Sequence, residues 1–133
     1  MNTIESELTT LAIRKLDTQY GTGKVSVTNE YTPTPESFPA VYIREADNFN
    51  ADFNGSNVEV VTGVMIEVEV YTNKWDGKVE QAREIMQLID GIFTPLGLTR
   101  TFMQPIPNMY DSTIYRLTAR YTAAVIDNVI YRR

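Results

Sequence analysis

The sequence predicts an α+β domain: a mixed, mainly antiparallel sheet with two main helices packed on one face. Two observations carry this. Long segments at 58–71 and 113–126 alternate apolar and polar residues with a period of two, and the segment between them repeats its apolar residues every three or four positions. A second helical stripe opens the chain. The 133 residues show no linker, repeat or low-complexity tract, so residues 1–133 read as a single domain with one core.

Taken in order, Ile4, Leu8, Leu11 and Ala12, widened by Ile13 and Leu16, predict a helix over residues 2–20, with Thr3, Ser6 and Glu7 near its start and Gly21-Thr22-Gly23 at its end. Lys24 to Tyr31 reads as a strand, which Pro33 and Pro35 interrupt. Ala40 to Arg44 reads as another short strand. From Glu45 to Asn57 the chain is polar, rich in Asn and Gly, and predicts a long loop carrying two isolated aromatics, Phe49 and Phe53. Loops of that length inside a compact domain are functional or unstructured. Both readings stand: ordering on contact with a partner, and a solvated loop.

The strand at 58–71 places Val60, Thr62, Val64, Ile66, Val68 and Val70 on one face, toward the helices, with Glu59, Glu67 and Glu69 on the other. The helix between Trp75 and Leu96 carries Val79, Ala82, Ile85, Met86, Ile89, Phe93 and Leu96 on its buried side. Its other side carries Lys78, Glu80, Gln81, Arg83, Glu84, Gln87 and Asp90, and Pro95-Leu96-Gly97 supplies the stop. Leu98 to Met103 begins a further strand. Thr113 to Ile126 is the second long strand, with Tyr115, Leu117, Ala119, Tyr121, Ala123 and Val125 facing inward, and the chain then folds back at its end. If the long strands are neighbours, Arg100, Arg116 and Arg120 face Glu67 and Glu69 across one surface. Such a surface is a solvated, salt-bridged face or a subunit interface; opposite-charge pairs across strands contribute on the order of 0.2–1 kcal/mol each.

Composition excludes more than it selects. There is no His and no Cys, so triads, thiol chemistry, disulfides and imidazole- or thiolate-ligated metals are absent. Gly21-Thr22-Gly23 lacks the rest of any phosphate-binding fingerprint. Glu45, Asp47 and Asp52 have no regular calcium-ligand spacing, and Asn54-Gly55-Ser56 matches the glycosylation pattern, which has meaning only in a secretory setting. No catalytic, cofactor-binding or metal-binding residues are therefore assigned. Glu67 and Glu69 leave a small carboxylate-based enzyme as the weakest alternative. Net charge is −5, divided as 4 basic and 8 acidic groups in residues 1–57 and 8 and 9 in residues 58–133. That balance argues against tight nucleic-acid binding. There is no apolar run near the ~18 residues of a membrane span and no signal-peptide pattern, so a soluble, non-secreted protein is expected.

A set of phrases in the second half carries a resemblance. They are Tyr71-Thr72-Asn73-Lys74, Glu84-Ile85-Met86, Gly97-Leu98-Thr99-Arg100-Thr101-Phe102, Pro105-Ile106-Pro107-Asn108, Thr113-Ile114-Tyr115-Arg116, Ala119-Arg120-Tyr121 and Ile130-Tyr131-Arg132-Arg133. Together they resemble the tail terminator (tail completion) proteins at the head–tail junction of long-tailed bacteriophages of Gram-positive hosts. The resemblance spans residues 58–133, and the first half follows by layout alone. It implies an α+β subunit of a hexameric ring that caps the tail tube, ends its polymerisation and allows joining to the head. The implied partners are copies of itself, the major tail tube protein and a head-completion or connector protein, and the implied location is the virion neck, after assembly in the host cytoplasm. DNA would pass through the ring without sequence-specific binding, and an acidic lining would let it slide. Another neck connector or a tail-tube subunit is the alternative. Under this reading Phe49, Phe53, Glu67, Glu69, Arg100, Arg116 and Arg120 are the expected contact residues between subunits or with partners.

Overall fold

A computed structural model describes residues 4–29, 35–53, 59–108, 111–126 and 129–130. Thr3, the Asn54–Ser56 glycosylation pattern, residues 54–57 of the expected loop and the terminal residues 131–133 lie outside that set, as does the side chain of Phe53.

Helix α1 spans Glu5–Tyr20 and buries Leu8, Ala12 and Leu16, one residue per turn. Ile4 takes the cap position without a side-chain cap, and Glu5 compensates by tying the helix start to the sheet. Its carboxylate accepts from the Glu45 amide at 2.7 Å and from Asn29 Nδ2 at 2.9 Å. The helix ends at Gly21, whose φ of 109° belongs to a region nearly restricted to glycine. Three residues, Ser26–Thr28, then form β1 within the strand expected from Lys24 to Tyr31; Tyr31 and the interrupting Pro33 lie outside the described residues.

Strand β2 runs Ala40–Phe53, and β3 runs Glu59–Thr72, paired antiparallel from Ala40↔Tyr71 to Phe53↔Glu59. Residues 45–53, expected as loop, are strand. Their polarity concealed a ladder that the valine-rich β3 holds in place, and register shifts after Glu45 and Asn50 break the alternation that would have revealed it.

Helix α2 spans Lys78–Leu96 and buries Ala82, Ile85, Met86, Ile89 and Phe93. Pro95 sits inside its last turn, and the helix closes as a Schellman motif: Gly97 N donates to Thr94 O at 3.1 Å and Leu98 N to Phe93 O at 3.2 Å. Gly97 has φ 107°, as the motif requires, and Leu98 is buried beyond it. Thr72 Oγ1 donates to Lys78 O at 2.8 Å, fixing the turn from β3 into α2. Three strands complete the fold: β4 (Thr99–Pro105), β5 (Tyr115–Ile126) and the two-residue β6 (Val129–Ile130).

The sheet order is β1-β2-β3-β5-β4, with β6 pairing the end of β5. Among the described residues only β1 and β2 run parallel, and the other pairings are antiparallel. The fold is α+β. Both helices share one core with Val41, Ile43, Val64, Ile66, Val68, Val70, Leu117, Ala119, Tyr121 and Val125, so they cover the same face of the sheet. Phe93 and Tyr121 meet edge-on at 5.1 Å within it. A smaller cluster of Ala40, Tyr42, Tyr71 and Ile114, flanked by Phe38, occupies one end of the opposite face. Beyond it, Arg44, Glu67, Glu69, Arg116 and Arg120 bring charge to that face, beside Phe49, Met65 and Phe102.

Candidate partner-binding surface

The face of the sheet away from the helices is organised in rows across three strands. Arg44, Glu67 and Arg120 form one row, Tyr42, Glu69 and Thr118 the next, and Ala40, Tyr71 and Arg116 the third. Glu67 and Glu69 are only 5% and 1% exposed. A buried carboxylate is costly unless fully partnered, and both are. Glu67 Oε1 accepts from Arg44 Nη2 at 2.6 Å, and its Oε2 accepts from Arg120 Nε at 3.2 Å. Glu69 Oε1 accepts from Arg116 Nε at 3.0 Å, from Arg116 Nη2 and from Thr118 Oγ1 at 3.3 Å, while its Oε2 accepts from Tyr71 OH at 3.1 Å.

Two opposing effects act on Glu67. Burial pushes its pKa up, but the hydrogen bonds and charges of Arg44 and Arg120 outweigh burial and hold it below the usual carboxylate range. Arg44 moves upward in turn, chiefly through its bond to Glu67. Aromatic rings steady two of the guanidiniums: Arg120 lies over Phe102 at 5.0 Å and Arg116 over Tyr71 at 5.8 Å.

Of the expected contact residues, Glu67, Glu69, Arg116 and Arg120 share this face, and their ion pairs are made within the chain. Arg100 does not join them. A bulge between Arg100 and Phe102 inverts the alternation, so Phe102 pairs Arg120 while Arg100 pairs Tyr121 on the helix side. There Arg100 Nη1 meets Asp90 Oδ1 of α2 at 3.3 Å. The same Asp90 oxygen accepts from Tyr121 OH at 2.8 Å, and burial together with Asp90 pushes the Tyr121 pKa up.

Phe49 lies on β2 opposite Gly63, not in a loop, and remains half exposed. A Cβ on Gly63 would come within 2.2 Å of the ring, so this aromatic rests directly on the glycine backbone. Phe53 pairs Glu59 through its backbone. Glu45 and Asp47 lie along β2 and bond locally to Asn48. Among the described residues no group of three or more acidic side chains is placed to hold a metal ion, and no helix is long and apolar enough to cross a membrane. A cleft of about 330 Å³ between α1 and β1 is lined by Ser6, Thr9, Thr10, Val27, Thr28 and Asn29, with no ionisable group.

Two residues stand out that the sequence reading did not single out. Arg44 is the second partner of Glu67; the signal was present, since Val41 and Ile43 face the helices and therefore turn Tyr42 and Arg44 outward. Trp75, the only tryptophan, is 100% exposed in the turn between β3 and α2. Its signal was a large apolar residue among Asn73, Lys74, Asp76 and Gly77. A ring that gains nothing from its own fold is available to a partner. No protein-family model matches the sequence, and no curated protein does.

Proposed function

We propose that this protein is a structural subunit of the head–tail junction of a long-tailed bacterial virus, acting as a tail terminator: a ring subunit that caps the tail tube, ends its polymerisation and allows head joining. Two features support the reading. The resemblance over residues 58–133 implies an α+β subunit with helices packed on a sheet, which is the architecture of this chain. The observation that carries most weight is the division of labour on the surface. The carboxylates Glu67 and Glu69 are consumed in mutual pairing with arginines, while a fully exposed Trp75 and a half-exposed Phe49 protrude. That pattern suits docking; general acid–base work needs a titratable group that can reach a substrate.

In this reading the chain exchanges between monomer and hexameric ring, and tail tube protein shifts the balance toward the ring. The test is assembly of purified major tail tube protein with and without this chain, followed by electron microscopy. Rings seated at one end of tubes that have stopped growing are expected. Incorporation along the tube wall would make it a tube subunit instead, and binding only to the head portal complex would make it a connector.

A further inference from the structure

We propose that Arg44 and Arg120, held on either side of Glu67, form a clamp on the open sheet face that binds carboxylates of an acidic segment of a partner protein. This goes beyond the tail-terminator reading and does not depend on it.

Arg44 and Arg120 share the single carboxylate of Glu67, while Arg116 is matched by Glu69, so the Glu67 row holds one surplus positive charge in a chain whose net charge is −5; Asp47, further along the same face, bonds to the Asn48 amide. Arg116 and Glu69 are drawn in, at 20% and 2% side-chain exposure. The surplus therefore falls on Arg44 and Arg120, whose side chains are 44% and 43% exposed.

Arg120 commits its Nε to Glu67 and its flat face to Phe102, and among the described residues neither of its Nη groups has a hydrogen bond. Arg44 commits only Nη2. Each oxygen of Glu67 accepts one of these bonds, and among the described residues the remaining N–H groups of the two arginines reach no further acceptor. A guanidinium with a free edge accepts a carboxylate in a two-point fork. These two are already immobilised by Glu67, by the strands and by Phe102, so binding costs less side-chain freedom than at ordinary surface arginines.

An acidic peptide fits better than nucleic acid. Two half-exposed guanidiniums neutralise too few phosphates to overcome a net negative protein, whereas at physiological salt a local pair acts over the ~8 Å that screening allows.

The test uses the intact protein and hexaglutamate as probe, read by NMR on the arginine Nε–Hε signals. Saturable shifts at Arg44 and Arg120, with Arg100 on the helix side unmoved, are expected. Arg44→Lys should weaken binding at least threefold by removing the fork while keeping the charge, and Arg44→Gln should weaken it further. No shift in the wild type, or equal shifts at Arg100, overturns the clamp. Tighter binding of a thymidine hexanucleotide of similar charge overturns the assignment to an acidic peptide. The wild-type titration decides the matter even if a variant folds poorly.

Discussion

Glu69 and Glu67 do different work although they sit two residues apart on one strand. Glu69 is enclosed by Arg116, Thr118 and Tyr71. Glu69→Ala should lower stability by about 2–3 kcal/mol in urea denaturation, below the usual penalty for breaking a buried pair because Arg116 retains some contact with water. Replacing both partners with apolar residues, Glu69→Leu with Arg116→Met, should recover most of that loss; a double variant as weak as the single one would count against the account. Glu67 links stability to pH. Its folded pKa is depressed, so its contribution is complete above the unfolded value of about 4.3 and is lost as pH falls through the lower folded value. Denaturation midpoints should thus decline below about pH 4.3, and Glu67→Gln should flatten that decline. An unchanged acid slope in the variant would assign the sensitivity to other carboxylates. At this scale the sequence was informative: a period of two placed Glu67, Glu69, Arg116 and Arg120 on one face. It misplaced Arg100 because one inserted residue reverses every side chain before it.

At the scale of elements, the same kind of irregularity acts twice. The shift after Glu45 turns Phe49 onto the face that carries Arg44 and Glu67, and the shift after Arg100 turns Arg100 off it. Periodicity is read by counting, and a bulge changes the count without a distinctive composition. The helices and the two long apolar strands were legible because burial on one side imposes a regular pattern. The far half of β2 was not, because its pattern is broken and its stability comes from β3 beside it. Its amides paired to β3 should therefore be protected from hydrogen exchange, where a loop would exchange at once. Gly63→Ala should drive the Phe49 ring outward. Losing roughly half the burial of a phenylalanine, set against the gain from removing a glycine, leaves a net loss of about 1 kcal/mol in the thermal or urea transition. A stabilised variant would mean that Phe49 does not depend on the glycine surface.

For the whole molecule, the telling test separates folding from association. Trp75 is fully exposed, so Trp75→Ala should leave the unfolding midpoint within about 0.5 kcal/mol of wild type. It should nevertheless impair capping of tail tubes in the assembly assay. Normal capping by this variant would remove Trp75 from the interface. Trp75 had a signal in the sequence, a large apolar residue in a polar turn, whereas the sharing of one carboxylate by Arg44 and Arg120 is a property of the assembled sheet.

Among the described residues, ion pairs rather than a further layer of helix or strand cover the middle of the second face of the sheet. Such a face can meet water or another protein with nearly equal ease, because parting from a partner bares guanidiniums and carboxylates that already hold one another. Apolar interfaces of the same extent would stick to the wrong neighbour or to their own kind while waiting. In the proposed role, that property would let the chain accumulate before its partners and still engage them.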